Sequence, residues 1–146
     1  MERMRESMEA KESKRFSEFL ERIGRSDLEN KITSDCPWTY WTMEMYSRDV
    51  KGQGGLGILA ADTFETAKKL GMPASFYTLL YPYESKQNIS EDFSQNEVLE
   101  RVSPEDRGFN EVCEKNIFTI VNGVFTTTAI KAYDKREGAV SLNILT

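Results

Sequence analysis

Four glycines in six residues, Gly52-Gln53-Gly54-Gly55-Leu56-Gly57, run straight into an amphipathic stretch that ends at Leu70. Few chains can place such a run anywhere but between an extended segment and a helix. Glycine lacks Cβ and tolerates positive φ, so the backbone can turn sharply and approach a ligand closely. The helix that follows has first-turn N–H groups without intrahelical partners. Those groups and the positive end of the helix dipole favour an anion, typically a phosphate. The competing reading is a tight strand-to-helix connection with no ligand.

Gly52, Gly54 and Gly57 also fit G-x-G-x-x-G, the dinucleotide fingerprint. That fingerprint needs a strand ending at the first glycine and an acid at the end of the next strand. The nearest strand candidate stops near Met45, and a polar segment from Tyr46 to Lys51 intervenes. The next strand ends in Leu79-Leu80-Tyr81-Pro82, with no acid before Glu84. The nicotinamide-type reading is therefore disfavoured.

The chain has 146 residues, enough for one domain with a real core. Net charge is −5, which argues against a nucleic-acid partner. No apolar run reaches the ~18 residues that span a bilayer, and the charged N-terminus carries no visible secretory signal. A cytoplasmic location with no membrane partner is expected. Cys36 and Cys113 are far apart in sequence, which reads as two buried or free thiols. The chain has no histidine, so it offers no imidazole for a catalytic triad or a metal.

Residues 1–34 read as an N-terminal helical segment. Phe16, Phe19, Leu20 and Ile23 fall on one helical face, and Gly24 is a stop. Ser26 and Glu29 read as a capping box for a second short helix carrying Leu28 and Ile32. Residues 35–146 read as an α/β domain. Trp38 to Met43 is rich in aromatic and β-branched residues and predicts a strand. A helix is predicted from Gly55 to Leu70, with Leu56, Leu59, Ala60, Phe64, Ala67 and Leu70 on one broad face. Gly71 and Pro73 end it. Ala74 to Leu80 predicts a second strand, which completes a Rossmann-like βαβ unit. Tyr81 to Asn116 is polar and reads as a lid or insertion, partly helical because Ser94 and Glu97 resemble a capping pair. Asn122-Gly123 between β-rich runs predicts a type I′ hairpin. Asp134 to Gly138 reads as a turn, and Val140 to Leu145 as a last strand lying at a sheet edge.

Several stretches together resemble one family. They are Tyr40-Trp41-Thr42-Met43-Glu44-Met45-Tyr46, Gly54 to Thr63, Lys69-Leu70-Gly71-Met72-Pro73 and Thr78-Leu79-Leu80-Tyr81. Their order and spacing are similar to the N-terminal domain of the α-glucan (glycogen/starch) phosphorylases. Ile130 to Asp134 and Val140 to Leu145 extend the likeness more weakly. The resemblance covers Trp38 to Leu145 and is closest from Tyr40 to Tyr81.

The resemblance implies the first part of a GT-B fold, in which two Rossmann-like domains face a cleft holding pyridoxal phosphate. It implies glucosyl transfer from an α-1,4-glucan to phosphate. Gly54, Gly55, Leu56 and Gly57 would then form the phosphate- or substrate-facing loop, with N–H groups of Gly55 and Leu56 aimed at the anion. Glu44 would be an acid near the site, and Tyr46 would stand beside the cofactor. The cofactor lysine belongs to the family's second domain, which this chain does not contain, so no catalytic residue and no cofactor are assigned to the chain alone. Pro82-Tyr83-Glu84-Ser85-Lys86 also departs from the family's usual Gly-x-Phe-x-Gln type of continuation. Three function classes follow: a phosphorylase fragment or split subunit completed by a partner chain; a free-standing phosphate- or sugar-binding module; and a protein-interaction module that self-associates or docks through its helix or a sheet edge.

Overall fold

The computed structural model describes residues 14–47, 50, 54–121 and 124–146. Helix α1 covers 14–22, and a single 3₁₀ turn follows at Ser26–Leu28. Then come β1 (Trp38–Trp41), α2 (Gly54–Leu70), β2 (Ala74–Leu79), β3 (Tyr83–Ile89), β4 (Gln95–Arg101), a 3₁₀ turn (Glu105–Arg107), β5 (Asn110–Val121), β6 (Val124–Glu137) and β7 (Val140–Leu145). The main sheet has the order β1-β2-β7-β6-β5, while β3 and β4 form a separate two-stranded ribbon. β1, β2 and β7 are mutually parallel; β6 pairs antiparallel with both β7 and β5. The fold is mixed α/β, as expected, built on a β1–α2–β2 unit with a parallel strand pair.

Alternation along the strands decides the core. Ala74, Phe76 and Thr78 of β2 are buried, with Ser75, Tyr77 and Leu79 on the other face. Val140, Leu142 and Ile144 of β7 are buried in the same register. Trp38 and Tyr40 of β1 and Tyr133 of β6 complete that face. Against it α2 lays a narrow stripe of Gly57, Ala60, Phe64 and Ala67. Phe76 is fully buried, with Phe64 edge-on at 5.1 Å, Tyr40 at 5.3 Å and Trp38 at 5.9 Å. Burying such a ring contributes about 2–3 kcal/mol before packing specificity is counted. The helix stops as expected: Gly71 has φ 67, its N–H donates to Lys68 O at 3.0 Å, and Met72 N–H donates to Ala67 O at 3.0 Å. In the last turn Lys68 binds Glu137 of β6, and that hydrogen bond is the main cause raising the lysine pKa.

The structure departs from the sequence expectations in several places. β7 is not an edge strand; it lies between β2 and β6. The stretch from Tyr81 to Asn116 has no α-helix; apart from the 3₁₀ turn Glu105–Arg107 it holds the ribbon β3–β4 and the first half of β5. At the ribbon's tip Asp92 Oδ1 accepts both Ser94 N–H at 3.1 Å and Ser94 Oγ–H at 2.7 Å, so Ser94 closes a turn instead of capping a helix. The Ser26/Glu29 box does not form: only one 3₁₀ turn stands there, and Glu29 accepts from Ser17 Oγ instead. β6 runs on to Glu137, so the turn is Gly138-Ala139 rather than Asp134 to Gly138. Leu56 and Leu59 are exposed, and Phe16 and Leu20 of α1 are buried while Ile23, just past its end, is exposed. α2 approaches the sheet through Gly57, Ala60, Phe64 and Ala67, which leaves Leu56 and Leu59 on the flanks. Cys36 and Cys113 are free and exposed. Asn122-Gly123 lies outside the described residues, but Val121 pairs with Val124 across it, as a two-residue connection requires.

Candidate functional site

The carboxyl ends of β1, β2 and β7 point the same way, and in open α/β sheets ligands bind in the crevice outside such ends. After β1 the chain does not go directly into the helix. Thr42 Oγ1 donates to Glu44 O at 2.7 Å and accepts Glu44 N–H at 3.3 Å, which bends the backbone. Met45 then drops into the core, fully buried, with Glu44 half-buried on one side of it and Tyr46 exposed on the other. Tyr46 N–H donates to Gly57 O at 2.9 Å, which clamps the segment onto the first turn of α2. Ser47 and Val50 bond to each other: Ser47 N–H donates to Val50 O at 2.7 Å, and Val50 N–H to Ser47 Oγ at 3.1 Å.

The glycines divide by role. Gly54 opens the helix at φ 74, a conformation that costs an L side chain roughly 1–2 kcal/mol, so its identity is explained by the turn. Gly55 has ordinary φ, and a Cβ built there meets nothing within 4 Å. Nothing in the described chain requires glycine at 55; the space above it is open. Gly57 is buried, beneath the Tyr46 contact. Leu56 is exposed beside it. Gly52 lies outside the described residues.

A cleft of about 430 Å³ adjoins this corner. Glu44, Met45, Tyr46 and Val50 form one wall; Leu79, Leu80 and Tyr81 at the end of β2 form the floor; Tyr83, Glu84 and Ser85 at the base of the ribbon form the other wall. The fold thus brings Glu44 and Tyr46 together at one cleft. Gly54 to Gly57 do not line it but are joined to it through the Tyr46–Gly57 bond. Sequence reasoning misses Tyr81, Tyr83, Glu84 and Ser85 as site residues. The available signal is their position directly after a parallel strand. Glu84 is held by Arg107, Nη2 to Oε1 at 2.7 Å, with both side chains about one-fifth exposed. The described lining carries two carboxylates and three tyrosines and no lysine or arginine. Such walls accept hydrogen bonds and stack on apolar ring faces; they do not by themselves neutralise a phosphate.

Comparison with known proteins adds one finding. A stretch of 54 residues, 36% of this chain, is 46% identical to part of a maltodextrin phosphorylase of Thermococcus litoralis. The chain spans about 6% of that relative's length. No family description matches the chain, and no solved structure matches it. Among the described residues no helix is long and apolar enough to cross a membrane. The chain thus contains a region similar to a phosphorylase.

Proposed function

We propose that residues 38–145 are a Rossmann-like, phosphorylase-type wall of a glucan and phosphate site, incomplete without a second domain. The observation that carries this reading is the 46% identity over 54 residues to a maltodextrin phosphorylase. The cleft geometry supports it: Glu44, Tyr46 and the first turn of α2 are locked into one corner at the carboxyl ends of parallel strands. In this reading the N–H groups of Gly55 and Leu56 face an anion, and Tyr46 stands beside the pyridoxal phosphate that a partner domain would hold through its lysine. The tyrosines of the cleft face sugar. Residues 38–145 by themselves are expected to show no phosphorolysis, because the transition state of glycosyl transfer needs preorganised charge on both sides.

A second reading, a binding module that keeps the fold without the chemistry, is favoured by the cation-free lining of the cleft among the described residues. Amide NMR separates the two. Millimolar phosphate is expected to shift Gly55 and Leu56. Gly55→Val should abolish that shift and leave the melt unchanged, because a Cβ there meets nothing in the described chain. Shifts confined to Tyr81 and Tyr83, produced by maltodextrin and not by phosphate, would favour the module. Unmoved amides with both ligands would sink both readings.

A further inference from the structure

Glu84 lines the cleft from the base of β3, yet only 18% of its side chain is exposed. A carboxylate this far out of water is tolerated when it is paired. Its partner Arg107 comes from another part of the molecule, the turn Glu105–Arg107 ahead of β5. That turn is tied to the main sheet rather than to the ribbon. Lys135 of β6 donates through Nζ to Arg107 O at 3.2 Å and stands over the ring of Phe109, which is buried. Gly108 closes the turn at φ 78, and Glu105 accepts from Ser103 Oγ at 2.6 Å. Glu84 Oε1 is buried against Arg107 Nη2 at 2.7 Å. The guanidinium thus fixes a ribbon carboxylate against the main layer.

We infer that Glu84 is a ligand residue of the cleft: its Oε2 accepts a hydrogen bond from one hydroxyl of a pyranose, and Arg107 is the positioning residue that holds the carboxylate for it. This rests on the reading of the cleft as sugar-facing and names the group that reads the sugar. Charge favours a hydroxyl over other ligand groups. Arg107 offsets the charge of Glu84, so the pair presents an acceptor without a full net charge. Each carboxylate oxygen has room for about two hydrogen bonds, and bonds to an ionised acceptor are roughly twice as strong as neutral ones. A phosphate would meet Glu44 and Glu84 with no cation among the described lining residues. An ammonium group would have to compete with Arg107 for Glu84. Tyr46, Tyr81 and Tyr83, all about half exposed, offer ring surface to the apolar face of the same sugar. Because Glu84 is already fixed, little side-chain freedom is lost when the ligand arrives.

Amide titrations of the full chain with methyl α-glucoside and its monodeoxy analogues test this, read at Tyr81 and Tyr83. The wild type is expected to bind one analogue about tenfold more weakly than the parent, the one lacking the hydroxyl that Glu84 reads. Glu84→Gln should bind the parent about tenfold more weakly and lose the discrimination against that analogue alone. Arg107→Gln should give the same pattern, smaller, and add nothing on top of Glu84→Gln, because it acts through that carboxylate. Should Glu84→Gln lower the melt, the double variant Glu84→Gln/Arg107→Gln, which strands no charge, carries the same comparison. A variant that weakens every sugar alike, or one that binds them all as the wild type does, would overturn the inference and leave the phosphorylase-type reading standing. Tyrosine amides that move with tetramethylammonium and with no sugar would overturn the sugar-facing reading and this inference with it.

Discussion

The β1–α2–β2–β7 layer and the β3–β4 ribbon meet at Pro82, yet they are built on opposite terms. In the layer nearly every second strand residue is buried, and rings crowd around Phe76. In the ribbon every strand residue but Glu84 is exposed, and stability comes from cross-strand pairs such as Lys86–Glu100 at 2.9 Å. Exposed pairs of that kind contribute at most about 1 kcal/mol. The cleft is lined from both sides of this divide. One wall is therefore fixed by core packing, while the other is anchored by the largely buried ion pair Glu84–Arg107 and by Val102 N–H donating to Pro82 O at 2.9 Å. The two walls of the site are thus held by different physical means.

The sharpest way to break that contrast is Phe76→Ala. Loss of a ring packed by three others is expected to cost about 3–5 kcal/mol, read as a lowered urea midpoint for the whole chain. A loss under about 1 kcal/mol, ordinary for a surface position, would mean that the layer is not the stabilising half. Arg107→Ala acts on the other side. It removes a partner from a carboxylate that is only one-fifth exposed, which is worth about 1–2 kcal/mol, between the exposed and the fully buried limits. Amide exchange across 83–101 should speed up about tenfold while β2 and β7 keep their protection; equal loss in both would show the ribbon to be part of the cooperative core. The smallest expected effect improves the layer. Thr78 Oγ1 is buried and lacks a hydrogen-bond partner among the described residues, so Thr78→Val should raise stability by about 1 kcal/mol in the same urea assay. A loss instead would reveal a bound water at that hydroxyl.

Legibility in the sequence follows the same divide. β1, α2 and β2 are readable because aromatic runs, the glycine loop and the Gly71–Pro73 stop all agree locally. The corner formed by Glu44 and Tyr46 is placed only through the family resemblance; alternation alone says nothing of the Thr42 bend that presents them. The ribbon escapes sequence reasoning because its Gln, Asn, Ser and Glu residues carry little strand signal. Ser94 adds to this by looking like a cap, although Asp92 claims its N–H and hydroxyl. The interior place of β7 is not readable either. Its residues alternate as any half-covered strand does, and nothing local distinguishes an edge from a centre.

That interior place has a consequence for how the chain is made. Ser75 and Ser141 are neighbours in the sheet but 66 residues apart in sequence. β2 leaves the ribosome long before the strand that must pair with it, and β6 also waits for that strand. During synthesis two strand edges stay unpaired together, each able to capture a wrong partner. The fold is thus expected to be slow and dominated by long-range contacts. Its step of commitment is the insertion of residues 140–145 between two halves already present, like a keystone set last.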